Sequence, residues 1–306
     1  MLSLHQRRHA SGVPDASILA VDTTSRTTLS RDVIAYDLEE HWLAGLLEGE
    51  GTFLHPPPSA PTQPAVVVQM YDRDVVDHVR VVMRSSALYG WVPKKRPNTV
   101  VWFTRLKGGR AVELMERMRP LLGDRRQRQI DRALDLNTSV ARGSEPTRTA
   151  EPDGSTSLHW LAGLLEGEGT FQAPPPSSPN YPVLSVEMSD RDVIERAARI
   201  LGERPVHANA PGRAGWSWTY RTDIGGEAAV LKMRELRPFM GERRTSQLDR
   251  ACAGYRGRLR LRNPPTICVV PGCTRMHRSR GLCNTHYMSW CRDRAAGKPA
   301  KITPLR

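Results

Sequence analysis

The sequence predicts an α+β chain in which two similar domains precede a small metal-binding module. The segment HWLAGLLEGEGTF occurs at residues 41–53 and again, unchanged, at residues 159–171, which is 118 residues later. The segment D-R-D-V recurs at the same offset, at residues 72–75 and 190–193. Two copies of roughly 95 residues are too few and too long for a solenoid, so they indicate a pair of domains related by a pseudo-twofold axis. Cysteine and histidine residues near the end of the chain indicate the module.

Each repeat is predicted to begin with a helix over the repeated segment. In this helix Gly45 and Gly49 lie four residues apart on one face, as do Gly163 and Gly167 in the second copy. A glycine inside a helix costs about 1 kcal/mol. The glycines therefore indicate that the two helices pack closely, backbone against backbone.

The acid before the final glycine of each segment, Glu50 or Glu168, falls in the last helical turn, where the helix dipole disfavours a negative charge. If the helices meet about a pseudo-twofold axis, these carboxylates converge, and two close carboxylates suit Mg²⁺. Glu48 and Glu166, two positions earlier, are expected to point elsewhere. In the alternative interpretation, the helices form only a structural seam and the terminal glutamates are solvated helix ends.

The remaining elements follow from the alternation of apolar and polar residues and from helical periodicity. Gly51 is expected to end the first helix, and a short strand follows it. A second strand is predicted over residues 182–189 in repeat 2, with a counterpart in repeat 1 that ends at Tyr71, and helices follow over residues 75–83 and 193–201. Another strand is predicted over residues 99–105 in repeat 1, and its counterpart in repeat 2 has Trp216, Trp218 and Tyr220 on one face. An amphipathic helix then closes each repeat, and in repeat 1 it includes Leu114, Met115 and Met118.

The repeated segment LAGLLEGEG resembles the LAGLIDADG motif of homing endonucleases, which occurs twice in the monomeric members of that family. The match includes the paired glycines and the terminal acid, and the resemblance covers residues 37–255. It implies that each repeat folds as αββαββα, that two four-stranded sheets lie on double-stranded DNA as a saddle, and that the terminal acids bind the divalent ions that cut both strands. By position these acids are Glu50 and Glu168, and Gly49 and Gly167 beside them belong to the expected Mg²⁺ site. Glutamate in place of aspartate departs from the motif, and the longer side chain changes where the metal lies.

The charge balance agrees with a nucleic-acid partner. The chain has 45 Lys and Arg residues against 32 Asp and Glu residues, a net charge of +13, and a pI near 10.1. Guanidinium groups suit bidentate contacts with phosphate and guanine, although a GC-rich genome also produces an arginine bias. Basic runs at residues 94–96, 125–128, 243–244 and 256–262 would each ordinarily be a solvated surface, but their recurrence in both repeats favours a nucleic-acid interface.

Side chains on the strand faces opposite the apolar face are expected to contact bases or phosphates. These residues are Gln69, Tyr71, Arg105, Ser185, Glu187, Ser217, Thr219 and Arg221, with Lys94, Lys95 and Arg96 in a turn between strands. Lys107 lies where the family often carries a catalytic basic residue, and the second repeat is expected to have Asp223 there instead. For Asp72 and Asp190, a helix N-cap role is favoured over a chemical one.

The C-terminal part of the chain contains cysteine and histidine in the types and spacing of a tetrahedral Zn²⁺ site. The predicted ligands are Cys268, Cys273, Cys283 and His286. His277 and Cys291 are alternatives for one of these positions. So short a segment cannot bury a core, so metal binding would supply its folding energy. The segment resembles the treble-clef-like zinc modules of phage and bacterial nucleases, and a disulfide pair is disfavoured in a reducing compartment.

The expected domain organisation is an N-terminal extension over residues 1–36, repeat 1 over 37–136, a flexible linker over 137–157, repeat 2 over 158–255, a basic linker over 256–265, the zinc module over 266–296 and a tail over 297–306. The sequence has no run of signal-peptide or membrane-spanning quality. The protein is therefore expected to act in the cytoplasm, encoded by a prokaryote or a phage. Its internal pseudo-twofold symmetry predicts a monomer.

The predicted function is Mg²⁺-dependent cleavage of both strands of DNA at a long, asymmetric site. Alternatively, the same framework binds nucleic acid without cutting it, as a transcription regulator or an RNA-splicing maturase. A zinc-dependent protein-interaction scaffold would explain the C-terminal module but would leave Glu50 and Glu168 unused.

Overall fold

The computed structural model describes residues 23–135, 154–175, 181–213, 215–255 and 264–305, with side chains from residue 37 onward. The chain divides into two compact units, Met1–Tyr36 and Asp37–Arg306, and the description below concerns the second. Most of the two predicted linkers, and the basic run at residues 256–262, lie outside the described residues. Within the described part of the chain, no helix is both long enough and apolar enough to cross a membrane.

Both repeats contain the same elements in the same order. Repeat 1 consists of α1 (Thr23–Glu50), β1 (Gly51–Leu54), β2 (Ala65–Met70), α2 (Arg73–Val82), β3 (Leu88–Trp91), β4 (Val101–Lys107), α3 (Gly109–Met118) and α4 (Asp124–Ala133). Repeat 2 consists of α5 (Gly154–Glu168), β5 (Gly169–Gln172), β6 (Val183–Met188), α6 (Arg191–Ile200), β7 (His207–Asn209), β8 (Thr219–Gly225), α7 (Glu227–Leu236) and α8 (Glu242–Ala253). A last helix, α9 (Asn284–Ala295), lies in the C-terminal module.

Each repeat has one four-stranded antiparallel sheet. The strand order is β1-β2-β4-β3 in repeat 1 and β5-β6-β8-β7 in repeat 2. The first seven elements of each repeat form an αββαββα unit, to which α4 or α8 is added. The predicted fold class is therefore confirmed: the chain is an α+β protein with two pseudo-twofold-related repeats.

One face of each sheet packs on the helices and the other faces away from them. In β2 the side chains of Val66, Val68 and Met70 are buried, and they alternate with the less buried Val67 and Gln69. Because neighbouring side chains in a strand point to opposite faces, this pattern defines a helix-covered face and an outer face. We use "outer face" below for the side of each sheet opposite the helices.

Two details of the predicted elements are wrong. Trp216 and Trp218 precede β8, which begins at Thr219, and both tryptophan side chains are exposed. The alternating residue pattern therefore extends beyond the residues that pair with neighbouring strands, which is why it predicted a longer strand. The short strands β3 and β7 have no counterpart among the elements predicted from periodicity, because three or four residues are too few to show an alternating pattern. The helices α4 and α8, of 10 and 12 residues, also have no counterpart among those elements.

The motif helices α1 and α5 contact each other through their backbones. A Cβ atom added to Gly45 would lie 1.9 Å from the carbonyl oxygen of Trp160, and one added to Gly163 would lie 1.8 Å from the carbonyl oxygen of Trp42. No side chain larger than hydrogen fits at either position. The predicted backbone-to-backbone packing is confirmed, and it brings the C-terminal ends of the two helices together.

Substitution of Gly45 by alanine should separate the motif helices. We expect the Gly45→Ala variant to lose about 3 kcal/mol of unfolding free energy, because the clash is with rigid backbone of the other repeat. Gly109→Ala is the matched control, since no atom lies within 4 Å of its Cβ position. Urea denaturation of the full chain measures both, and equal unfolding midpoints for the two variants would contradict the proposed packing.

Candidate functional site

Two glutamates meet where the motif helices end. Helix α1 ends at Glu50 and helix α5 ends at Glu168, and both side chains are partly buried. The Cβ position of Gly49 is 2.9 Å from Oε1 of Glu168, and that of Gly167 is 3.8 Å from Oε1 of Glu50. Each carboxylate therefore lies against the glycine that precedes the other repeat's terminal acid, and the two acids converge at the helix ends as the sequence predicts.

The environment of these two acids favours a cation. Burial raises the pKa of Glu50, and the nearby Glu168 carboxylate raises it further. Burial also raises the pKa of Glu168. Each shift reports that the ionised form lacks full compensation within the protein. Two converging carboxylates are hard oxygen donors, so the donor set fits Mg²⁺.

Two buried arginines satisfy the last backbone carbonyls of the motif helices. Arg126, which is 5 % exposed, donates from Nη2 to the carbonyl oxygens of Glu48 and Gly49, both at 2.7 Å, and from Nη1 to that of Gly51. Four carbonyls at a helix end have no partner within the helix, and a cation there also opposes the helix dipole. Burial lowers the pKa of Arg126 to about 10, so the guanidinium remains charged at neutral pH.

The second repeat has the same arrangement around Arg244, which is 6 % exposed. Its Nη2 donates to the carbonyl oxygen of Gly167 at 2.7 Å, and its Nε donates to that of Glu166 at 2.9 Å. The sequence signal is the Arg-Arg pair in both repeats, which the basic runs predict to be part of a nucleic-acid surface. That interpretation is wrong for these two residues, because their guanidinium groups are buried against helix ends. The predicted Mg²⁺ site included the glycines at positions 49 and 167, and both of these carbonyls already accept a hydrogen bond.

The neighbouring arginines join the two repeats. Arg125 forms an ion pair with Asp190 at 2.6 Å, and Arg243 forms one with Asp72 at 2.7 Å. Both aspartates occupy helix N-cap positions, but neither side chain makes a capping hydrogen bond to its own helix. Their carboxylates serve the contact between repeats instead.

The second aspartate of each D-R-D-V segment also crosses between repeats. Oδ2 of Asp192 accepts a hydrogen bond from the backbone N–H of Asp124 at 2.8 Å, and Oδ2 of Asp74 accepts one from that of Glu242 at 2.7 Å. Each repeat thus supplies an acceptor for the N-terminus of the helix that carries the other repeat's buried arginine. The segment is therefore explained by the interface, which the sequence did not predict.

Glu48 and Glu166 are directed away from the converging pair. Oε1 of Glu48 accepts a hydrogen bond from the backbone N–H of Gly123 at 2.6 Å, and Oε2 of Glu166 accepts one from that of Gly241 at 2.9 Å. Burial raises the pKa of Glu48 to about 8 and that of Glu166 to about 7. These two acids hold the loops that precede α4 and α8. They therefore have a different role from the terminal acids, as their different positions in the motif predict.

The first converging acid opens onto the outer face of the repeat 1 sheet. A groove of about 480 Å³ is lined by Glu50, Thr52, Leu54, Val67 and Gln69, among others. The outer-face positions are defined by strand pairing, in which Thr52 is opposite Val67. A ligand lying on this face would therefore meet the carboxylate at the helix end.

The predicted contact residues fall into three groups. Those on the outer faces of the sheets are Gln69, Arg105, Glu187, Thr219, Arg221 and the candidate catalytic Lys107. Those beyond the strands but exposed are Tyr71, Lys94, Lys95, Arg96 and Ser217. Ser185 is on the outer face but is only 5 % exposed. Their contacts with DNA remain predictions.

Three of these expectations need correction. Ser217 precedes β8, so it belongs to a loop and not to the strand face. Ser185 is buried, because a small side chain in a central strand is covered by its longer neighbours. Strand pairing aligns Lys107 with Gly225, since these residues lie opposite Ala65 and Val183, and it aligns Arg105 with Asp223. The basic residue at position 107 therefore has no side-chain counterpart in repeat 2.

The C-terminal module brings four predicted ligands together. The ligand atoms of Cys268, Cys273, Cys283 and His286 all lie within 4.8 Å of one another. Sγ of Cys273 is 3.9 Å from Sγ of Cys283, and Nδ1 of His286 is 3.2 Å from Sγ of Cys268. Ligands at about 2.3 Å from a tetrahedral Zn²⁺ are separated by about 3.8 Å, so the geometry fits that ion. The alternative ligands, His277 and Cys291, are not in the cluster.

Comparisons with known proteins find only distantly similar structures. No protein-family model matches the chain, and no curated protein matches it. Similar solved structures include the LAGLIDADG meganuclease I-AabMI bound to uncleaved DNA, with 15 % identity over 70 % of this chain and 90 % of that chain and a TM-score of 0.47. The LAGLIDADG homing endonuclease I-GzeII in complex with its DNA target has 10 % identity over 70 % of this chain and 89 % of that chain, with a TM-score of 0.47. These similarities are too distant to assign a function to this chain.

Loss of a buried arginine should destabilise the helix end that carries the candidate site. We expect Arg126→Ala to lower the unfolding free energy by about 3 kcal/mol, because several buried carbonyls lose their donor. Arg126→Lys should recover only part of this loss, since one ammonium group cannot reproduce the planar guanidinium fork. Chemical denaturation is the measurement, with the exposed Arg128→Ala as the control. An Arg126→Ala variant as stable as that control would show that the carbonyls do not need this partner.

Proposed function

We propose that this protein is a Mg²⁺-dependent endonuclease that cleaves both strands of double-stranded DNA at a long, asymmetric site. The observation that carries the proposal is the convergence of Glu50 and Glu168 at the ends of two helices that touch through glycine backbone. A purely structural seam would not need acids there, since burial and mutual repulsion oppose their ionisation. A bound divalent cation would reverse that cost.

In this proposal the chain's residues have separate roles. Glu50 and Glu168 would hold Mg²⁺, which when bound would supply Lewis-acid activation of the phosphate and of the attacking water. Arg126 and Arg244 position the two carboxylates by fixing the helix ends from which they extend. Lys107, exposed on the outer face at the end of β4, supports the negative charge that develops during phosphodiester cleavage.

DNA binding is assigned to the two outer faces and their basic surroundings. The net charge of +13 and the exposed cations Lys94, Lys95 and Arg96 suit the phosphate backbone. Arg125 and Arg243 are engaged in ion pairs between the repeats, so the proposal does not depend on them for contacts with DNA. The domains are proposed as repeat 1 over residues 37–136 and repeat 2 over residues 158–255, acting together in a monomer.

Removal of either converging acid should abolish double-strand cleavage. We expect Glu50→Gln and Glu168→Gln each to lower the rate of double-strand cleavage by at least about a hundredfold, while DNA affinity stays the same or increases because a negative charge is lost. Glu116→Gln, at an exposed position, is the control and should cut like the unmodified protein. The substrate is long DNA that spans the insertion locus of the gene with the gene removed, incubated with Mg²⁺ at low salt.

The outcomes of this assay separate the proposed function from its alternative. Discrete products that both Gln variants lack would support an endonuclease. Cleavage that survives in both Gln variants would remove the assignment of the metal site. Retarded migration of the DNA in a gel without cleavage would favour a non-cleaving regulator or an RNA-splicing maturase on the same framework.

We also propose that the C-terminal module binds Zn²⁺ through its four clustered ligands. The module has only a small buried cluster, centred on Cys268, Leu282 and Cys283, so the metal would contribute much of its folding energy. Cys283 occupies the N-cap position of α9, and the backbone N–H of His286 lowers the pKa of its thiol. A thiolate is the form that binds zinc.

Loss of a clustered cysteine should release the zinc. We expect Cys283→Ser to lose the zinc that the unmodified protein binds and to increase protease cleavage after residue 263. The control is Cys252→Ser, because Cys252 lies in α8, outside the cluster. Metal analysis by mass spectrometry and limited proteolysis are the measurements. Retention of full zinc content by the Cys283→Ser variant would refute the ligand assignment.

A further inference from the structure

The two outer faces differ in chemistry although the strands that form them are equivalent. The strands of the two repeats have the same register, so each outer-face position of repeat 1 has an equivalent position in repeat 2. Six positions are apolar or aromatic in repeat 1 and polar or charged in repeat 2. In the order repeat 1 then repeat 2, these are Leu54 and Gln172, Val67 and Ser185, Tyr89 and His207, Trp91 and Asn209, Val101 and Thr219, and Phe103 and Arg221.

Most of the apolar side chains on the outer face of repeat 1 are exposed or partly exposed, and two of them lie beside the candidate site. Tyr89 and Phe103 stack with their ring centroids 5.0 Å apart and their planes 21° apart. Tyr89 is 46 % exposed and Leu54 is 44 % exposed. Leu54 and Val67 also line the groove that contains Glu50. Apolar positions therefore occur at the edge of the sheet and beside the converging acids, with Gln69 and Arg105 between them on the same face.

The outer face of repeat 2 presents hydrogen-bonding groups instead. Oε1 of Glu187 accepts a hydrogen bond from Oγ1 of Thr219 at 2.6 Å and one from Nδ2 of Asn209 at 3.2 Å. Arg221 lies beside Asp223 at 3.6 Å. A carboxylate held in this way has a remaining oxygen for an external donor, and the guanidinium is a donor for an external acceptor.

The cations around the apolar face identify its partner as nucleic acid. Arg105 and Lys107 lie on the same face of β4 and are exposed, and Lys94, Lys95 and Arg96 are exposed in the turn between β3 and β4. A second copy of this chain would bring the same positive charges together. A nucleic acid, as a polyanion, neutralises these positive charges, while the apolar groups on its bases contact the apolar side chains that lie between the charges.

We propose that repeat 1 recognises the thymine-rich half of an asymmetric DNA site through the 5-methyl groups of thymine, and that repeat 2 recognises a half richer in G·C pairs through hydrogen bonds. Among the groups in the major groove, the thymine methyl is the one that an apolar side chain contacts favourably. Arginine suits guanine, and a carboxylate accepts a hydrogen bond from the amino group of cytosine. This inference rests on the proposed function, because it requires the outer faces to bind DNA.

The test uses the full-length protein with Mg²⁺ replaced by Ca²⁺ and a target selected from a randomised DNA library. In that target, each half is synthesised in turn with uracil in place of thymine, which removes only the methyl groups. We expect uracil in the half bound by repeat 1 to weaken binding roughly tenfold for two contacted methyl groups. Uracil in the other half should change the affinity by less than about twofold.

Matched variants identify which half each repeat binds. Val67→Ser and Phe103→Arg give repeat 1 the residues that repeat 2 carries at the same positions, and a variant with both changes should lose the uracil effect and the preference for thymine. Arg221→Ala in repeat 2 is the comparison, and it should keep the uracil effect while it loses discrimination at G·C pairs. Thermal unfolding and circular dichroism of each variant check that the fold is retained.

The possible results separate this inference from the function on which it rests. Failure to recover any bound DNA would remove the proposed function and the inference together. Specific binding with an equal uracil effect in both halves, or with none, would overturn the inference and leave the proposed function intact. Concentration-dependent dimerisation that Val67→Ser with Phe103→Arg abolishes would show that a second copy covers the face, and would also overturn it.

Discussion

The contact between the two motif helices is the constraint on which the rest of the structure depends. Backbone meets backbone at Gly45 and Gly163, where an added Cβ would lie 1.9 Å or less from a carbonyl oxygen. This distance decides how closely the repeats approach and therefore how closely Glu50 and Glu168 approach. A wider separation would place each carboxylate at an isolated helix end, where water would solvate it and no shared cation would be needed.

The contact between the helices brings together polar backbone groups that need hydrogen-bond partners within the protein. The C-terminal carbonyls of both helices are directed into the interface region, and Arg126 and Arg244 provide donors for them. Because the arginines neutralise part of the local charge, the two acids can lie close together without unfolding the helix ends. Burial still raises the pKa of both acids, which is consistent with a site that a divalent cation completes.

The interface between the repeats is symmetric, whereas the outer faces of the two sheets are not. At the interface the equivalent ion pairs Arg125–Asp190 and Arg243–Asp72 keep the repeats interchangeable. On the outer faces the equivalence is lost: Phe103 corresponds to Arg221. Equivalent contacts inside maintain the geometry of the acids, while the side chains outside form two chemically different surfaces. This division suits the proposed cleavage of two similar phosphodiester bonds within a dissimilar pair of half-sites.

The sequence by itself determined the repeat, its offset and the glycine face of each motif helix, because these depend on short segments whose periodicity is local. It predicted the helix contact and the convergence of Glu50 and Glu168 only on the assumption of a pseudo-twofold axis, and the tertiary structure supplies that contact. It also predicted the four clustered residues of the C-terminal module from ligand type and spacing, whereas the tertiary structure decided that the alternatives, His277 and Cys291, lie outside the cluster. Only the tertiary structure decided what the Arg-Arg pairs do. Arg126 and Arg244 bind helix ends that are far away in sequence, and a basic run looks the same whether it is buried or solvated. The alignment of Lys107 with Gly225 and the burial of Ser185 likewise depend on strand pairing, because which neighbours cover a side chain is decided by contacts between distant strands.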